Sequence, residues 1–144
     1  MPRITSLVLM LSVMIVTTAS AQTFKKNYMK VTINGQEYHV KVNNDPMVAQ
    51  ILAMCPMTLE VSRSGDLEYY GRLPQKANDS KSSQTSEAHK NELMYFGGWN
   101  CLSLLFEDVN VAPYKLVKLG EFEEDITDLL KSSLAEITVR IEAM

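Results

Sequence analysis

The side chains that could do chemistry in this 144-residue chain are few and far apart. The two cysteines, Cys55 and Cys101, are not in a C-x-x-C arrangement, so their spacing gives no support to thiol exchange. The two histidines, His39 and His89, have no cysteine or acid at the spacing of a zinc or facial-triad iron site. The "SRSG" stretch contains no nucleophile elbow. The sequence therefore predicts no catalytic residue, no metal ion and no cofactor.

The densest group of large side chains is "YFGGWNCLSLLFED", residues 95–108. It contains the single tryptophan, Trp99, together with Phe96 and Cys101. Such a stretch is either a working site, with an aromatic platform and a reactive thiol, or the densest part of a core. Because large apolar side chains usually serve packing, we expect the core.

The first 21 residues have the pattern of a secretory signal peptide. Arg3 supplies the positive charge, residues 7–16 are almost entirely apolar, and Ala19 and Ala21 match the small-x-small cleavage pattern. The apolar run is about half the ~20 residues that a membrane-spanning helix needs. We therefore expect cleavage after Ala21, an exported protein in the periplasm or outside the cell, and no membrane span in the mature chain.

The remainder has the size of one domain, since domains cluster around ~100–150 residues. Lys and Arg number 14 against 17 Asp and Glu, which gives a net charge of −3, and the charges are scattered. Because nucleic-acid binding needs a basic footprint, we expect no nucleic-acid partner. The expected organisation is a short lead over residues 22–28 and one domain over residues 29–144.

The two cysteines allow two interpretations. An even number in an exported protein permits a disulfide between Cys55 and Cys101. A pair this far apart in sequence does not establish a bridge, however, and cysteine also packs well as a small apolar residue. We expect two buried free thiols, with the bridge as the alternative.

The segment "MKVTINGQEYHVKV" predicts a β-hairpin. Its Asn-Gly pair at positions 34–35 separates two runs of alternating apolar and polar residues, which is the strongest short hairpin signal. A two-residue loop pairs Ile33 with Gln36. It also pairs Val31 with Tyr38, so the apolar residues share one face.

Two segments have helical spacing. In "NDPMVAQILAMCP", Asp45 can cap a helix, Pro46 suits its first turn and Pro56 ends it. In "EFEEDITDLLKSSL", which follows Gly120, the acids come early and Lys131 comes late, the polarity that a helix dipole favours. The sequence therefore predicts two short amphipathic helices.

Period-two alternation predicts the remaining strands, near residues 57–61, 67–73, 93–96, 99–107, 114–119 and 137–141. Residues 75–92 are almost entirely polar, which predicts a long loop without secondary structure that is either functional or simply mobile, and we favour mobility. Antiparallel strands with short connections hide their edges most completely by closing into a barrel. We predict a mainly β fold, a closed antiparallel barrel of about eight strands capped by two short α-helices.

This order of elements resembles the cyclophilin-like fold, specifically a small bacterial cyclophilin-like family of unknown function. The resemblance rests on the hairpin and on "DPMVAQILAMCPMTLEV", "EYYGRLP" and "ELMYFGGWNCLSLLFED", and it covers nearly all of residues 29–142. The family typically has a Gly-Asp pair before its Leu-Met-Tyr strand. Asn91 and Glu92 stand there in this chain; Asn tolerates positive φ and Glu keeps the acid.

A cyclophilin-like barrel carries a groove on an outer face, and the resemblance places Tyr70, Arg72, Phe96 and Trp99 beside it. Aromatic residues with one cation could hold an extended peptide or a small ligand. The first hypothesis is therefore an exported, non-enzymatic module that binds an unknown peptide or small molecule. The alternative is that Phe96 and Trp99 are core or bulge residues and Tyr70 lies on the surface, and packing is the favoured interpretation.

True cyclophilins isomerise prolyl bonds with an arginine, a hydrophobic floor, a glutamine and a histidine. Arg72 in "YYGRLPQK" lies at roughly the equivalent place. Ala77 stands where the resemblance calls for phenylalanine, and neither histidine has a suitable context. A degenerate or weak peptidyl-prolyl isomerase or folding helper of the cell envelope is thus the second hypothesis, and we expect no isomerase activity.

Overall fold

The computed structural model of the chain describes residues 27–144. The expected signal peptide over residues 1–21, and most of the lead expected over residues 22–28, lie outside the described residues. Within residues 27–144, no helix has the length and apolar character needed to cross a membrane.

The described residues form ten strands and two helices. In chain order these are β1 (Tyr28–Ile33), β2 (Gln36–Val42), α1 (Pro46–Met54), β3 (Met57–Ser64), β4 (Glu68–Arg72), β5 (Glu87–Ala88), β6 (Glu92–Phe96), β7 (Cys101–Leu105), β8 (Val109–Asn110), β9 (Val117–Phe122), α2 (Thr127–Ser132) and β10 (Glu136–Ala143). Eight strands close into an antiparallel barrel in the order β1-β10-β3-β4-β7-β6-β9-β2, while β5 and β8 pair outside it. The predicted barrel with two short helices is confirmed.

The first hairpin has the predicted register. Ile33 lies opposite Gln36, and Val31 lies opposite Tyr38. The two turn residues between them have positive φ, 51° and 79°, as a tight two-residue hairpin turn requires. The apolar side chains of both strands consequently point into the same core.

Both helices close the barrel core, from opposite ends. Helix α1 joins β2 to β3 and buries Met47 and Ile51, whereas α2 joins β9 to β10 and buries Leu130. Near the end of α2, the Ser133 hydroxyl accepts a hydrogen bond of 3.3 Å from the Asn34 side chain in the first hairpin turn. Burial of one such large apolar side chain stabilises the fold by about 1.5–3 kcal/mol.

Helix α2 is shorter than its spacing predicts. It ends at Ser132, and Leu134, which the pattern places on its apolar face, is 78% exposed. The chain after the helix is held instead by Tyr69, whose hydroxyl donates a hydrogen bond of 2.7 Å to the Leu134 carbonyl oxygen. The backbone of this residue is anchored while its side chain stays in solvent.

Strand β9 lies further along the chain than predicted. It begins at Val117 and continues through Gly120 to Phe122, whereas the prediction ended the strand before Gly120. A Cβ at Gly120 would clash with the Lys41 carbonyl oxygen of β2. The glycine therefore permits the close approach of two strands and does not interrupt the strand.

The polar segment over residues 75–92 contains secondary structure. Thr85 forms an antiparallel bridge with Leu116, and β5 follows it. Asn78 and Gln50 exchange two hydrogen bonds, of 2.7 and 2.8 Å. The prediction of a loop without structure is wrong here, because polar side chains and short backbone ladders hold the segment to the barrel. Its mobility stays a prediction.

We call the pairing of residues 85–88 with residues 109–116 the outer ribbon. It packs on the outside of β6 and β7, where a second small apolar cluster buries Met94 and Leu105. This part of the sheet is therefore buried on both faces, by the barrel core on one side and by the outer ribbon on the other.

Candidate functional site

A groove of about 360 Å³ lies on the outer face of the barrel, where β4 and β7 meet the outer ribbon. Its volume falls in the range of about 300–1,000 Å³ typical of small-ligand sites. The lining comes from several separate parts of the chain, so the groove exists only in the folded protein. Its floor and its walls are chemically different.

The floor is the outward face of β4 and β7, together with Ser64 at the end of β3. Tyr70 lies directly opposite Ser103 in the ladder between these strands. Tyr69, next to Tyr70, points into the core and is fully buried, so alternation turns the neighbouring side chains outward. The floor residues are Ser64, Glu68, Tyr70, Cys101 and Ser103.

Four aromatic rings form a continuous arc along the groove, which we call the aromatic wall. The centroid of the Trp99 ring lies 5.7 Å from that of Tyr70 and 5.8 Å from that of Phe96. The Phe96 and Tyr114 rings are 5.9 Å apart. Interplanar angles of 50°, 70° and 79° give the tilted and edge-to-face contacts that aromatic pairs prefer. Val111 and Leu116 of the outer ribbon complete the lining.

Trp99 lies on the open side of the groove, with 58% of its surface exposed. The interpretation of Trp99 as a core residue is therefore wrong. Strand β7 begins only at Cys101, so the tryptophan belongs to the turn that follows Gly97 and Gly98. Phe96 is half-buried against the outer apolar cluster, so packing accounts for part of its role.

The turn that presents Trp99 is fixed by Asn100. This residue has a φ of 50°, in the left-handed region that Asn tolerates. Its side-chain oxygen accepts hydrogen bonds from the Tyr95 hydroxyl, at 2.8 Å, and from the Ala77 amide, at 3.0 Å. Its side-chain amide donates to the Gln75 carbonyl oxygen at 2.8 Å. These bonds join the turn to β6 and to the start of the 75–92 segment.

The floor contains one carboxyl group, that of Glu68. Burial raises its pKa, and a hydrogen bond with Ser103 acts in the opposite direction. Glu68 forms no salt bridge with any described residue. The carboxylate is thus partly removed from water without a cationic partner, which disfavours its charged form.

The Cys101 thiol lies on the same floor. Its pKa is raised to about 11; burial is the largest cause, the charge of Glu68 also raises the pKa, and the charge of Arg72 lowers it. Because the thiolate is the nucleophilic form of cysteine, this thiol is unreactive near neutral pH. The alternative of a working site with a reactive thiol beside the tryptophan finds no support in this geometry.

Arg72 lies opposite Cys101 in the ladder and is exposed, beyond the residues that line the groove. Its guanidinium group makes no hydrogen bond or salt bridge with any described residue. Of the four residues that the resemblance placed at a groove, the structure brings Tyr70, Phe96 and Trp99 together and leaves Arg72 beside them.

Both cysteines are free thiols. Cys55 is half-buried against the barrel core, and its thiol donates to the Ile51 carbonyl oxygen at 3.4 Å. Cys101 faces the opposite side of the sheet, so the alternative Cys55–Cys101 disulfide is not formed. The expected free thiols are present, although Cys55 is less buried than expected.

The acidic and histidine side chains of the described residues form pairs and not metal-binding groups. Nowhere in residues 27–144 do three or more His, Cys, Asp or Glu side chains converge as metal ligands. His39 contacts Glu124 at 2.8 Å, and His89 lies 3.5 Å from Asp108.

Glu68, Ser103 and Tyr114 were not among the predicted site residues. For Glu68 a signal is present, because alternation with the buried Tyr69 places it on the same face as Tyr70. Tyr114 has no comparable signal, since only the pairing of the outer ribbon brings it to the groove.

Comparison with known proteins gives a family and a fold. The model of the Cyclophilin-like family matches residues 31–142. The solution structure of the hypothetical protein AF2241 from Archaeoglobus fulgidus is similar, with a TM-score of 0.67 and 15% sequence identity over 86% of this chain and 99% of that chain. At this identity the likeness concerns the fold alone. A search of curated proteins gave no match. Because the family match spans most of its length, the chain belongs to the cyclophilin-like family.

Proposed function

We propose that this protein is an exported, non-enzymatic binding module that takes a small ligand or peptide in its outer groove. The observation that carries the proposal is the exposure of Trp99 and Tyr114, 58% and 64%, on the rim of a groove of ligand size. Large aromatic side chains that stay in water beside a concave surface are typical of binding sites.

Binding fits the groove better than catalysis. The Cys101 thiol, with its pKa raised to about 11, is a poor nucleophile, and no histidine lines the groove to serve as a base. The one acid, Glu68, has only Ser103 as a hydrogen-bond partner. Such a floor can orient a ligand with hydrogen bonds but lacks the acid–base pair that general catalysis needs.

Trp99 is the only tryptophan, so its fluorescence reports directly on the groove. We expect members of a mixed panel of proline-containing peptides, neutral apolar compounds and small ions to shift its emission. Tyr114→Ala should weaken the binding at least ~10-fold, as loss of an aromatic side chain that contacts the ligand does in binding sites. Leu134→Ala is the control, because Leu134 is also exposed, at 78%, but lies just after α2. A panel without any Tyr114-dependent binding would overturn the proposal.

The proposal of export rests on the signal-peptide pattern of residues 1–21. Expression of the full chain in a bacterial host, followed by cell fractionation and N-terminal sequencing, tests it. We expect a product that begins at Gln22 outside the cytoplasm. An uncleaved chain that stays in the cytoplasm would contradict export without affecting the binding proposal.

The second candidate, a weak peptidyl-prolyl isomerase, is favoured by one observation. The guanidinium of Arg72 is exposed beside the groove without a partner among the described residues. Proline-isomerisation assays on the wild-type protein and on Arg72→Ala distinguish the candidates. We expect no turnover by either protein. Turnover that is lost in Arg72→Ala would replace the non-enzymatic proposal with the isomerase.

A further inference from the structure

We infer that the ligand of the groove is a small organic ammonium ion, held by the aromatic wall and by the carboxylate of Glu68. The inference rests on the proposed binding function and names the chemical class of its ligand. Three observations carry it: the charge of the lining, the arrangement of the rings and the size of the groove.

The lining of the groove contains an acidic side chain and no basic side chain. Glu68 is the only Asp or Glu among the lining residues, and no Lys, Arg or His is among them. The carboxylate has a hydrogen bond with Ser103 but no salt bridge with a described residue. An anionic ligand would be repelled by this negative charge. A neutral apolar ligand would displace water from the carboxylate without offering a hydrogen bond in its place. A cation beside the carboxylate stabilises its charged form, which burial alone disfavours.

The aromatic wall suits the same charge. Cations bind over the faces of aromatic rings within about 6 Å of the centroid, and sets of aromatic side chains recognise quaternary ammonium groups in this way. Interplanar angles of 50–79° between neighbouring rings mean that the wall presents faces in several directions around the groove. Trp99, whose ring is the best cation–π partner, stands between Tyr70 and Phe96 with more than half of its surface open.

The size of the groove selects a free small ion. At about 360 Å³ it lies near the lower end of the ligand-pocket range. A compact alkylammonium group fills such a space with methyl groups against the rings and its charge toward Glu68. The Arg72 guanidinium lies outside the lining and so leaves the interior of the groove without a built-in cation.

The test measures the binding of choline and of 3,3-dimethylbutan-1-ol, its neutral isostere, to the full-length protein. Calorimetry gives both affinities, and Trp99 fluorescence reports on the groove. We expect choline to bind at least ~10-fold more tightly. Glu68→Gln should reduce this ratio to about 1 with little effect on the isostere. Glu136→Gln, an exposed acid at the start of β10, is the matched control and should keep the ratio.

Each outcome decides a separate point. Equal binding of choline and its isostere by the wild-type protein would overturn the ammonium inference and leave the binding proposal standing. Tighter binding of a peptide carrying trimethyllysine than of choline would overturn the choice of a free small ion. If choline does not bind but a peptide or neutral compound does, only the inference fails. A thermal-unfolding scan of Glu68→Gln establishes that the variant is folded, and the wild-type comparison does not depend on it.

Discussion

The carboxylate of Asp45 accepts a hydrogen bond of 2.6 Å from the hydroxyl of Ser82. The same carboxylate caps α1 by accepting from the Met47 amide at 2.9 Å, and it also accepts from the Ser83 amide at 3.0 Å. One side chain therefore holds both the start of a helix and the middle of the 75–92 segment.

This double role predicts that loss of the helix cap and loss of the contacts to the 75–92 segment can be measured separately. Asp45→Ala should destabilise the protein by about 1–2 kcal/mol, because it removes the helix cap together with the contacts to the segment. Ser82→Ala, the matched control, removes only one contact and should cost about 0.5–1.5 kcal/mol. Amide exchange should accelerate at Ser83 in both variants but at Met47 only in Asp45→Ala. Unchanged exchange at Ser83 would show that Asp45 does not order the segment.

Replacement of Trp99 should cost little stability. Because the side chain is 58% exposed, Trp99→Ala should change the free energy of unfolding by less than about 1 kcal/mol. Phe106→Ala is the contrasting variant, since Phe106 is fully buried and its removal should cost about 3–5 kcal/mol. Urea unfolding followed by circular dichroism measures both. A cost for Trp99→Ala that approaches the cost for Phe106→Ala would mean that the tryptophan is packed in solution.

The turn that contains Trp99 is stabilised by the side chain of Asn100. Asn100→Ala should cost about 2–3 kcal/mol, because it leaves buried partners without hydrogen bonds and strains the positive φ. Asn100→Gly relieves only the strain and should cost less, while Tyr95→Phe should cost about 1 kcal/mol. Chemical unfolding of Tyr95→Phe, Asn100→Gly and the double variant gives their coupling. Additive costs would contradict the direct bond between these two side chains.

Glu68 should make stability depend on pH. Burial raises the pKa of its carboxyl in the folded state. At pH values between the unfolded pKa and the folded pKa, the unfolded chain has therefore lost the proton that the folded protein keeps. The stability contributed by the protonated group is present below the unfolded pKa and is lost as pH rises through the folded pKa. Glu68→Gln should therefore become more stable relative to the wild type as the pH rises from the unfolded pKa of Glu68 through its folded pKa.

Urea midpoints at several pH values measure this difference. Ser103→Ala is the companion variant, because Ser103 forms the hydrogen bond that lowers the Glu68 pKa. Its loss should move the pH-dependent window upward. A constant difference between wild type and Glu68→Gln at all pH values would contradict the burial of the carboxyl group.

The approach of β2 and β9 predicts a cost at Gly120. A Cβ there would meet the Lys41 carbonyl oxygen and lie 2.9 Å from the Val42 Cα, both of which are backbone atoms that cannot rotate away. Gly120→Ala should therefore destabilise the protein by about 1–3 kcal/mol. Gly65→Asn is the control, because Gly65 has open space around it and Asn tolerates its positive φ. Similar melting temperatures for the two variants would show that the strands separate without cost.

Local sequence patterns were sufficient to predict the barrel. In the first hairpin, the Asn-Gly turn and the alternation of Val31 and Ile33 determine the same register, because both depend only on neighbouring residues. The cap of α1 at Asp45 and its end before Pro56 were likewise predictable, since each follows from the chemistry of a single side chain.

The groove was not predictable in the same way. Trp99 follows a double glycine and was assigned to a strand, but non-local bonds from Asn100 to Ala77 and Gln75 turn the chain before the strand begins. Tyr114 reaches the site only because the outer ribbon folds back over β6 and β7. No periodicity within one segment encodes such contacts between distant segments.

The strands of the outer ribbon pair with each other, and neither belongs to the closed barrel. The ribbon is joined to the barrel through side-chain contacts and through the chain connections at its ends. It nevertheless supplies Val111, Tyr114 and Leu116 to the groove. Under the proposed binding function, we expect substitutions in the outer ribbon to alter ligand preference without breaking a barrel hydrogen bond. The same proposal predicts that exchange of residues 109–116 between two chains with this barrel transfers ligand specificity without rebuilding the barrel.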